Sequence, residues 1–478
     1  MNPEEIGQMK PRRAYFAPDD LNDPALTRLI FRLGLPAVAG LSINAVHHTI
    51  NMVFVGMIGA HEIAAITVVL PILMMIGAIG EGLGVGVATA VGRALGSANP
   101  QCANVTASTL MVLTVPLGIV LTTGILVFRR ELLGLFGASE AIMPLAEHYL
   151  IIVAFSVTLT MLQIVSDFIA ISEGNTRFSM WTLLGCFALN IILDPIMIFG
   201  FGFGLAGAAM ATILSQIAAI AAYALYFRKR MGTLHLSARF AAFRADILKP
   251  VFSIGLPTTL TSMLSSISFA VLFTYAGFYR GDSGIAGVGI ALRVLTLGML
   301  PIVGLSLGGQ AVLSFAWGAG KTPRLLAASN LLLMLTSAFS VAYGLGAVLL
   351  RYPIAAIFTD DLEIARIAAL TIIVTHIPFI FFGMRQILVV LLQAQGRARL
   401  AATISIAQNG YFLLPLLFVL PHFLGFDGLL ASLFLAPTLT ALLSAVILFT
   451  TLRQLRGDTA VPDLPIATFN NTVSERAS

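Results

Sequence analysis

The chain has 478 residues, of which 58% are apolar and only 10% charged, against roughly 25% charged in a soluble domain. That composition excludes a soluble enzyme or binding module, because such a surface cannot be hydrated, whereas helices that pair their own backbone groups can be apolar all round in a bilayer. The net charge of +5 does not indicate nucleic acid, since the basic residues fall in the gaps between apolar runs and form no basic face with interleaved aromatics.

In chain order, Met1 to Arg28 is a polar tail with Pro3, Pro11, Pro18, Pro24, Asp19, Asp20 and Asp23, lacking the apolar core of a cleaved signal peptide. Twelve segments then reach the length of about 20 apolar residues that a spanning helix needs. They are 30–57, 62–88, 104–127, 146–171, 178–199, 205–227, 247–278, 283–311, 325–350, 365–394, 399–420 and 428–452. The C-terminal stretch is again polar, and its Asn470-Asn471-Thr472 sequon reads as chance on a cytoplasmic tail. Cys102 and Cys186 share no metal-like spacing and read as packing residues.

An even number of spans puts both termini on one side. If that side is cytoplasmic, the tails, the inside loops and the span ends bordering them hold 20 of the 27 Lys and Arg residues, six of them between Arg228 and Lys249. The outside loops and the span ends bordering them hold Arg129, Arg130, Arg280, Arg351 and Arg366, and Arg293 and Arg385 lie deeper within spans. Because Lys and Arg bias sets orientation, the chain is expected in a bacterial inner membrane with both termini cytoplasmic.

The sequence also repeats. Gly34-Leu35-Pro36 returns as Gly255-Leu256-Pro257, and Gly59, Gly82, Gly86, Gly96 and Gly174 each have a counterpart further on at one constant offset, at Gly281, Gly304, Gly308, Gly318 and Gly396. The fold class expected is an all-α membrane protein, twelve transmembrane helices in two six-helix parallel repeats around a central cleft. Its parts are a cytoplasmic tail at 1–28, a first lobe at 29–227, a basic cytoplasmic linker at 228–246, a second lobe at 247–453 and a cytoplasmic tail at 454–478. Two halves that can rock about a cleft are what alternating access requires.

Specific strings then resemble one family. Asn190-Ile191-Ile192-Leu193-Asp194-Pro195, followed by the run from Gly204 through Gly207 and Thr212 to Gln216, resembles the fifth and sixth helices of MATE (multidrug and toxic compound extrusion) exporters. The Glu173-Gly174-Asn175 turn, the Gly-Leu-Pro openings and the turn from Gln393 through Gly396 to Arg399 are similar to the same family, so the resemblance runs from Leu29 to Arg453. It implies export of amphiphilic, often cationic, compounds in exchange for Na⁺ or H⁺, coupled through a cluster in the first lobe. The family's fifth-helix Asn and Asp match Asn190 and Asp194, its sixth-helix Thr matches Thr212, and its first-helix Asp falls at Asn51.

The chemistry of that set is coherent. Asn190 and Asp194, four residues apart, share a helix face, and Pro195 lacks the backbone donor that would bond the carbonyl of Ile191. A carboxylate inside the membrane costs about 2.5–3.5 kcal/mol on insertion scales and is read as functional by default. Asn51 offers a neutral oxygen that can ligate a hard cation but cannot titrate, while a buried carboxylate can also carry a proton, so Na⁺ and H⁺ both remain open. At the repeat offset, the positions matching Asn51, Asn190, Asp194 and Thr212 are Phe273, Phe412, Leu416 and Phe434, and spans 7 to 12 hold no buried acid, so coupling through the second lobe is rejected.

Other intramembrane polar residues are weaker candidates. Glu81 and Asp167 are expected to pair with Arg293 or Arg385, or else to attract a cationic substrate into the cleft. His47 shares a face with Asn51 and could shuttle protons, whereas His48 and His376 read as packing residues. The glycine run Gly80 to Gly86 lacks a P-loop ending and reads as close helix packing. Pro71, Pro301 and Pro378 can kink their helices.

The function expected is therefore a secondary multidrug transporter with its cleft lined by spans 1, 2, 7 and 8. It is expected to need no cofactor beyond the coupling ion, to hold no resident metal, to carry out no catalysis, and to act as a monomer among membrane lipids without nucleic acid. A lipid-linked sugar flippase of the same superfamily is the alternative, although two intramembrane Arg are few for it. A membrane-embedded transferase is a third reading, but Asp360-Asp361 and Asp19-Asp20 lack the partners it would need.

Overall fold

The structure, a computed structural model, describes residues 21–457. Most of both polar tails, the Asn470 sequon and the side chain of His48 lie outside the described residues. Among the described residues every regular element is a helix. The first half comprises α1 (Leu26–Gly56), α2 (Ala60–Gly96), α3 (Pro100–Val127), α4 (Arg129–Leu135), α5 (Met143–Ala154), α6 (Ser156–Ser172), α7 (Thr176–Pro195) and α8 (Gly204–Arg228). The second comprises α9 (Ala245–Gly318), α10 (Thr322–Leu349), α11 (Arg351–Phe358), α12 (Leu362–Phe379), α13 (Phe382–Ala394), α14 (Ala398–Ile406) and α15 (Leu414–Gly457).

Helix starts follow local chemistry. The Asn99 side chain accepts from Cys102 N at 2.9 Å with Pro100 opening α3, Asn175 caps α7 through Phe178 N at 3.3 Å, and Asp361 caps α12 through Glu363 N at 2.8 Å. By length and apolar character nine helices of the described residues can cross a membrane, or ten if the pair Met143–Ala154 and Ser156–Ser172, bent by 47°, is one span. That is fewer than the twelve expected, and the reason is geometric. The 74-residue α9 breaks at Gly281 and α15 breaks at Gly425, with φ of 57° and 59°, so each consists of two segments that join without a loop. At 1.5 Å per residue, 74 residues would run about 110 Å, far beyond a bilayer core of about 30 Å.

The prolines behave unequally. Helices continue through Pro71 and Pro301, whereas Pro378 stands one residue before the end of α12, where the chain breaks before α13. The 47° bend at Phe155 has no proline. After Pro195 the backbone widens into a π-turn, Ile196–Gly200, and a second π segment spans Ala407–Leu413.

The glycines of the repeat build the seam between the halves. A Cβ on Gly82 would meet Gly255 O at 2.5 Å, and one on Gly86 would meet Val251 O at 2.5 Å, while on the other face of α2 Gly80 and Gly84 back onto Ile164 and Phe168 of α6. The mirrored contacts join the start of α1 to the second segment of α9, Gly304 against Val38 and Gly308 against Gly34. Where α2 crosses α9, a Cβ on Gly96 would collide with Phe315 O and one on Gly318 with Arg93 O. Residues 93 and 315, and 96 and 318, are repeat mates, so a pseudo-two-fold axis passes here, between Gly92 and Ser314. The close-packing reading of the glycine run is the one the structure gives.

Polar contacts reinforce the seam, Gln310 Nε2 donating to Thr89 Oγ1 at 2.7 Å and Thr259 Oγ1 to Ala78 O at 3.1 Å. All these contacts lie in the parts of α1, α2 and α9 nearest the end that carries both chain ends of the described region. The segment between α8 and α9 is not a free tether. Thr233 N donates to Glu173 Oε2 at 2.8 Å, His235 N to Asn104 Oδ1 at 2.7 Å and Ala242 N to Thr109 Oγ1 at 2.9 Å, so it straps that end of the first half.

Candidate cation site

Asn190 is the centre of the first-half cluster. With its carbonyl oxygen accepting from Thr212 N at 3.2 Å, its amide nitrogen donates to His47 Nε2 at 2.6 Å and to Asp194 Oδ2 at 3.3 Å, the one orientation that satisfies all three contacts. Asn51 Nδ2 donates to the same Asp194 Oδ2 at 3.3 Å. Helices α1, α7 and α8 are thus tied through five residues, with Asn190 2% and Asp194 0% exposed. The i, i+4 spacings of His47 with Asn51 and of Asn190 with Asp194 place two pairs face to face.

The carboxylate is only half satisfied. Oδ2 takes both amide donors, and Oδ1 is buried with no hydrogen-bond partner. A proton or a small cation on Oδ1 would complete the shell, with further oxygens available from Asn51 and from Thr212, whose hydroxyl itself donates to Ala208 O at 3.0 Å. The His47 ring stacks on Phe187 at 4.5 Å, which fixes its orientation.

The other intramembrane charges stand apart from this cluster. The expected pairing of Glu81 and Asp167 with Arg293 or Arg385 is overturned. Asp167 accepts from Tyr223 at 2.5 Å, and Glu81 accepts from Ser262 Oγ at 3.2 Å across the seam. Neutral hydroxyl donors on helices far away in sequence satisfy these acids, at separations of 56 and 181 residues, so no local pattern signals them. Arg293 is exposed, and Arg385 lies over the Phe382 ring at 4.9 Å with a buried Nε that has no partner. His376 packs among Tyr343 and Phe379, and Cys186 donates to Ser215 O at 3.4 Å, both as packing residues. No acid in the described second half is buried, and no cluster of metal-ligating side chains occurs among the described residues.

The sequence profile of the MatE family matches residues 36–196 and again 257–419, two stretches that begin at the matching prolines of the internal repeat, Pro36 and Pro257. The chain belongs to the MatE family. It is an integral membrane protein of a transporter family. The multidrug export protein MepA of Staphylococcus aureus strain MSSA476 is 27% identical over 434 residues, covering 91% of this chain and 96% of the relative. The MepA protein of Staphylococcus haemolyticus strain JCSC1435 is 27% identical over 439 residues, covering 92% and 96%. Among solved structures, an outward-facing multidrug resistance MATE family transporter of the MOP superfamily superposes with a TM-score of 0.84 at 24% identity, over 91% of this chain and 98% of that one. A MATE in the bent conformation gives 0.86 at 24% identity, over 92% and 98%. These superpositions extend the fold to known helical transporters.

Proposed function

We propose that the protein is a secondary multidrug efflux transporter that exchanges amphiphilic, often cationic, compounds for Na⁺ or H⁺ by alternating access. The observation that carries this reading is the Asn190-centred cluster, a buried carboxylate with one oxygen satisfied by amides and the other bare. Family membership and the MepA relatives, whose names are those of multidrug exporters, support the substrate class. With Asn51 neutral the cluster carries one formal negative charge from Asp194, which matches one monovalent ion per cycle. His47, bonded to Asn190, positions the amide that holds Asp194.

The membrane orientation supports export. If the basic residues and chain ends are cytoplasmic, the close glycine contacts of the seam lie toward the cytoplasmic end, which supports a cleft opening on the other side. Away from the seam α1, the turn after it, α2 and α9 expose Met52, Met57, Met74, Met75 and Phe269, soft surfaces suited to loosely shaped apolar ligands. Glu81, exposed and bonded only to a serine, is available to a cationic substrate.

The test is efflux of a fluorescent cationic dye from liposomes carrying the purified protein, under an imposed Na⁺ or pH gradient. One gradient is expected to drive the wild type, and Asp194→Asn is expected to lose more than about 100-fold of that rate, about 2.7 kcal/mol. Equal rates for the variant, or no response to either gradient, would overturn coupling through Asp194 and favour the flippase.

A further inference from the structure

At the end of the molecule that carries the strap, a cavity of about 810 Å³ opens on the seam, with walls from both halves. Its cations are Arg93 from the end of α2, Lys249 from the start of α9, and Arg397 and Arg399 from the turn between α13 and α14. The one carboxylate on its wall, Asp246, is already taken by Arg244, at 3.0 and 3.1 Å. None of the four cations has an ion pair among the described residues. The Arg93 guanidinium lies against Gly396, where a Cβ would collide with its Nη1, so a first-half cation reaches onto a second-half turn. That Gly396 has φ of 74°, a conformation open to glycine, and its bare Cα is what admits the guanidinium.

A second, independent feature points the same way. Trp317, also on the wall, has a buried indole Nε1–H with no acceptor. An orphaned buried donor is costly, and here it stands beside the cations Arg93, Lys249 and Arg399; of the other polar groups on the wall, Arg397 already donates to Gln454 Oε1 at 3.0 Å, and Gln395 Oε1 is buried without a donor. Orientation bias alone explains cations in loops; it does not explain an orphaned indole N–H in the same wall. The surrounding Ala90, Ile247 and Leu400 are apolar, and the volume far exceeds one phosphate.

We propose that this cavity binds a phosphate-bearing anion, whose oxygens accept from Arg93, Lys249, Arg399 and Trp317. The apolar wall and the position at the membrane surface favour an anionic lipid headgroup as the source over a soluble phosphate. Because the ligand touches both halves, its binding holds this end of the seam closed.

The experiment is thermal unfolding of the full-length protein in neutral detergent, titrated with phosphatidylglycerol, phosphatidylcholine or inorganic phosphate, with affinity read from the rise in Tm. Phosphatidylglycerol is expected to stabilise the wild type and phosphatidylcholine is not. The double variant Lys249→Ala, Arg399→Ala should bind about tenfold or more weakly, and Trp317→Phe, which leaves charge unchanged, a few-fold more weakly. Protection by inorganic phosphate with the same dependence on both variants would assign the site to a soluble phosphate. Equal binding by wild type and both variants, or a loss on charge removal with none in Trp317→Phe, would reduce the cavity to a general basic surface and overturn the proposal. The readout does not involve transport, so it stands or falls apart from coupling through Asp194.

Discussion

Around Asp194 the first half gathers His47, Asn51, Asn190 and Thr212; their repeat mates in the second half, with the one matching Asp194, are Phe269, Phe273, Phe412, Phe434 and Leu416. At the seam the same offset gives near-identity instead, with Gly96 against Phe315 O and Gly318 against Arg93 O. The turns between the fourth and fifth spans of each half are intermediate. Glu173-Gly174 in one matches Gln395-Gly396 in the other, the glycines both have positive φ, and only the first carries an acid. Backbone approach is thus symmetric while side-chain chemistry is not. Packing two like halves demands small residues at matching places, but a coupling ion needs only one site, and a duplicate carboxylate in the second half would add another insertion penalty.

The largest expected effect that sharpens this contrast, after loss of Asp194 itself, is at its neighbour. Asn190→Ala removes the contacts to His47, Asp194 and Thr212 together and should lower gradient-driven efflux about 10–100-fold, or about 1.4–2.7 kcal/mol. Phe412→Ala, its repeat mate, should change the rate by less than about threefold in the same liposomes. Comparable losses at both positions would mean that the two halves share the coupling.

Next come the seam glycines. Gly96→Ala and Gly318→Ala each drive a methyl into a carbonyl of the other half, and overpacking of this kind costs about 1–3 kcal/mol. Tm values of the two purified variants should fall by similar amounts, since the contacts are mates. A large fall in one and none in the other would break the symmetry read from the backbone.

The smallest effect concerns the turn. Glu173 is 2% exposed, and burial pushes its carboxyl from the usual 4.5 up to about 7, despite the Tyr226 hydroxyl and Thr233 N–H donating to Oε2 at 3.1 and 2.8 Å. Burial in the folded state therefore favours the protonated acid, against the strap's own N–H donor. Its contribution is full below pH 4.5 and is lost as pH rises through about 7. Glu173→Gln makes this turn like its mate at Gln395, and the fall in Tm between pH 5 and pH 8 should flatten in that variant. An unchanged pH dependence would remove Glu173 from the strap's energetics.

Much of this was legible along the chain. The spans follow from apolar length, the seam glycines from their constant register between the halves, and the pairs His47–Asn51 and Asn190–Asp194 from helical spacing. What misled was charge. The acids and arginines inside the spans invite pairing, yet Glu81 and Asp167 bond to hydroxyls, because Ser262 and Tyr223 lie on helices brought near only by packing. The twelve-span reading met two pairs of helices that join directly at Gly281 and at Gly425, since a glycine with positive φ turns the chain without an intervening loop.

By itself the sequence determined the solvent, the periodicity and the repeat, because these depend on composition and on spacing within one helix. Only the tertiary structure decided which oxygen of Asp194 is bare, which donor serves each buried acid, and that four cations and an indole N–H face one cavity. Those are contacts between residues far apart in the chain, fixed by the crossing of helices that no local rule encodes.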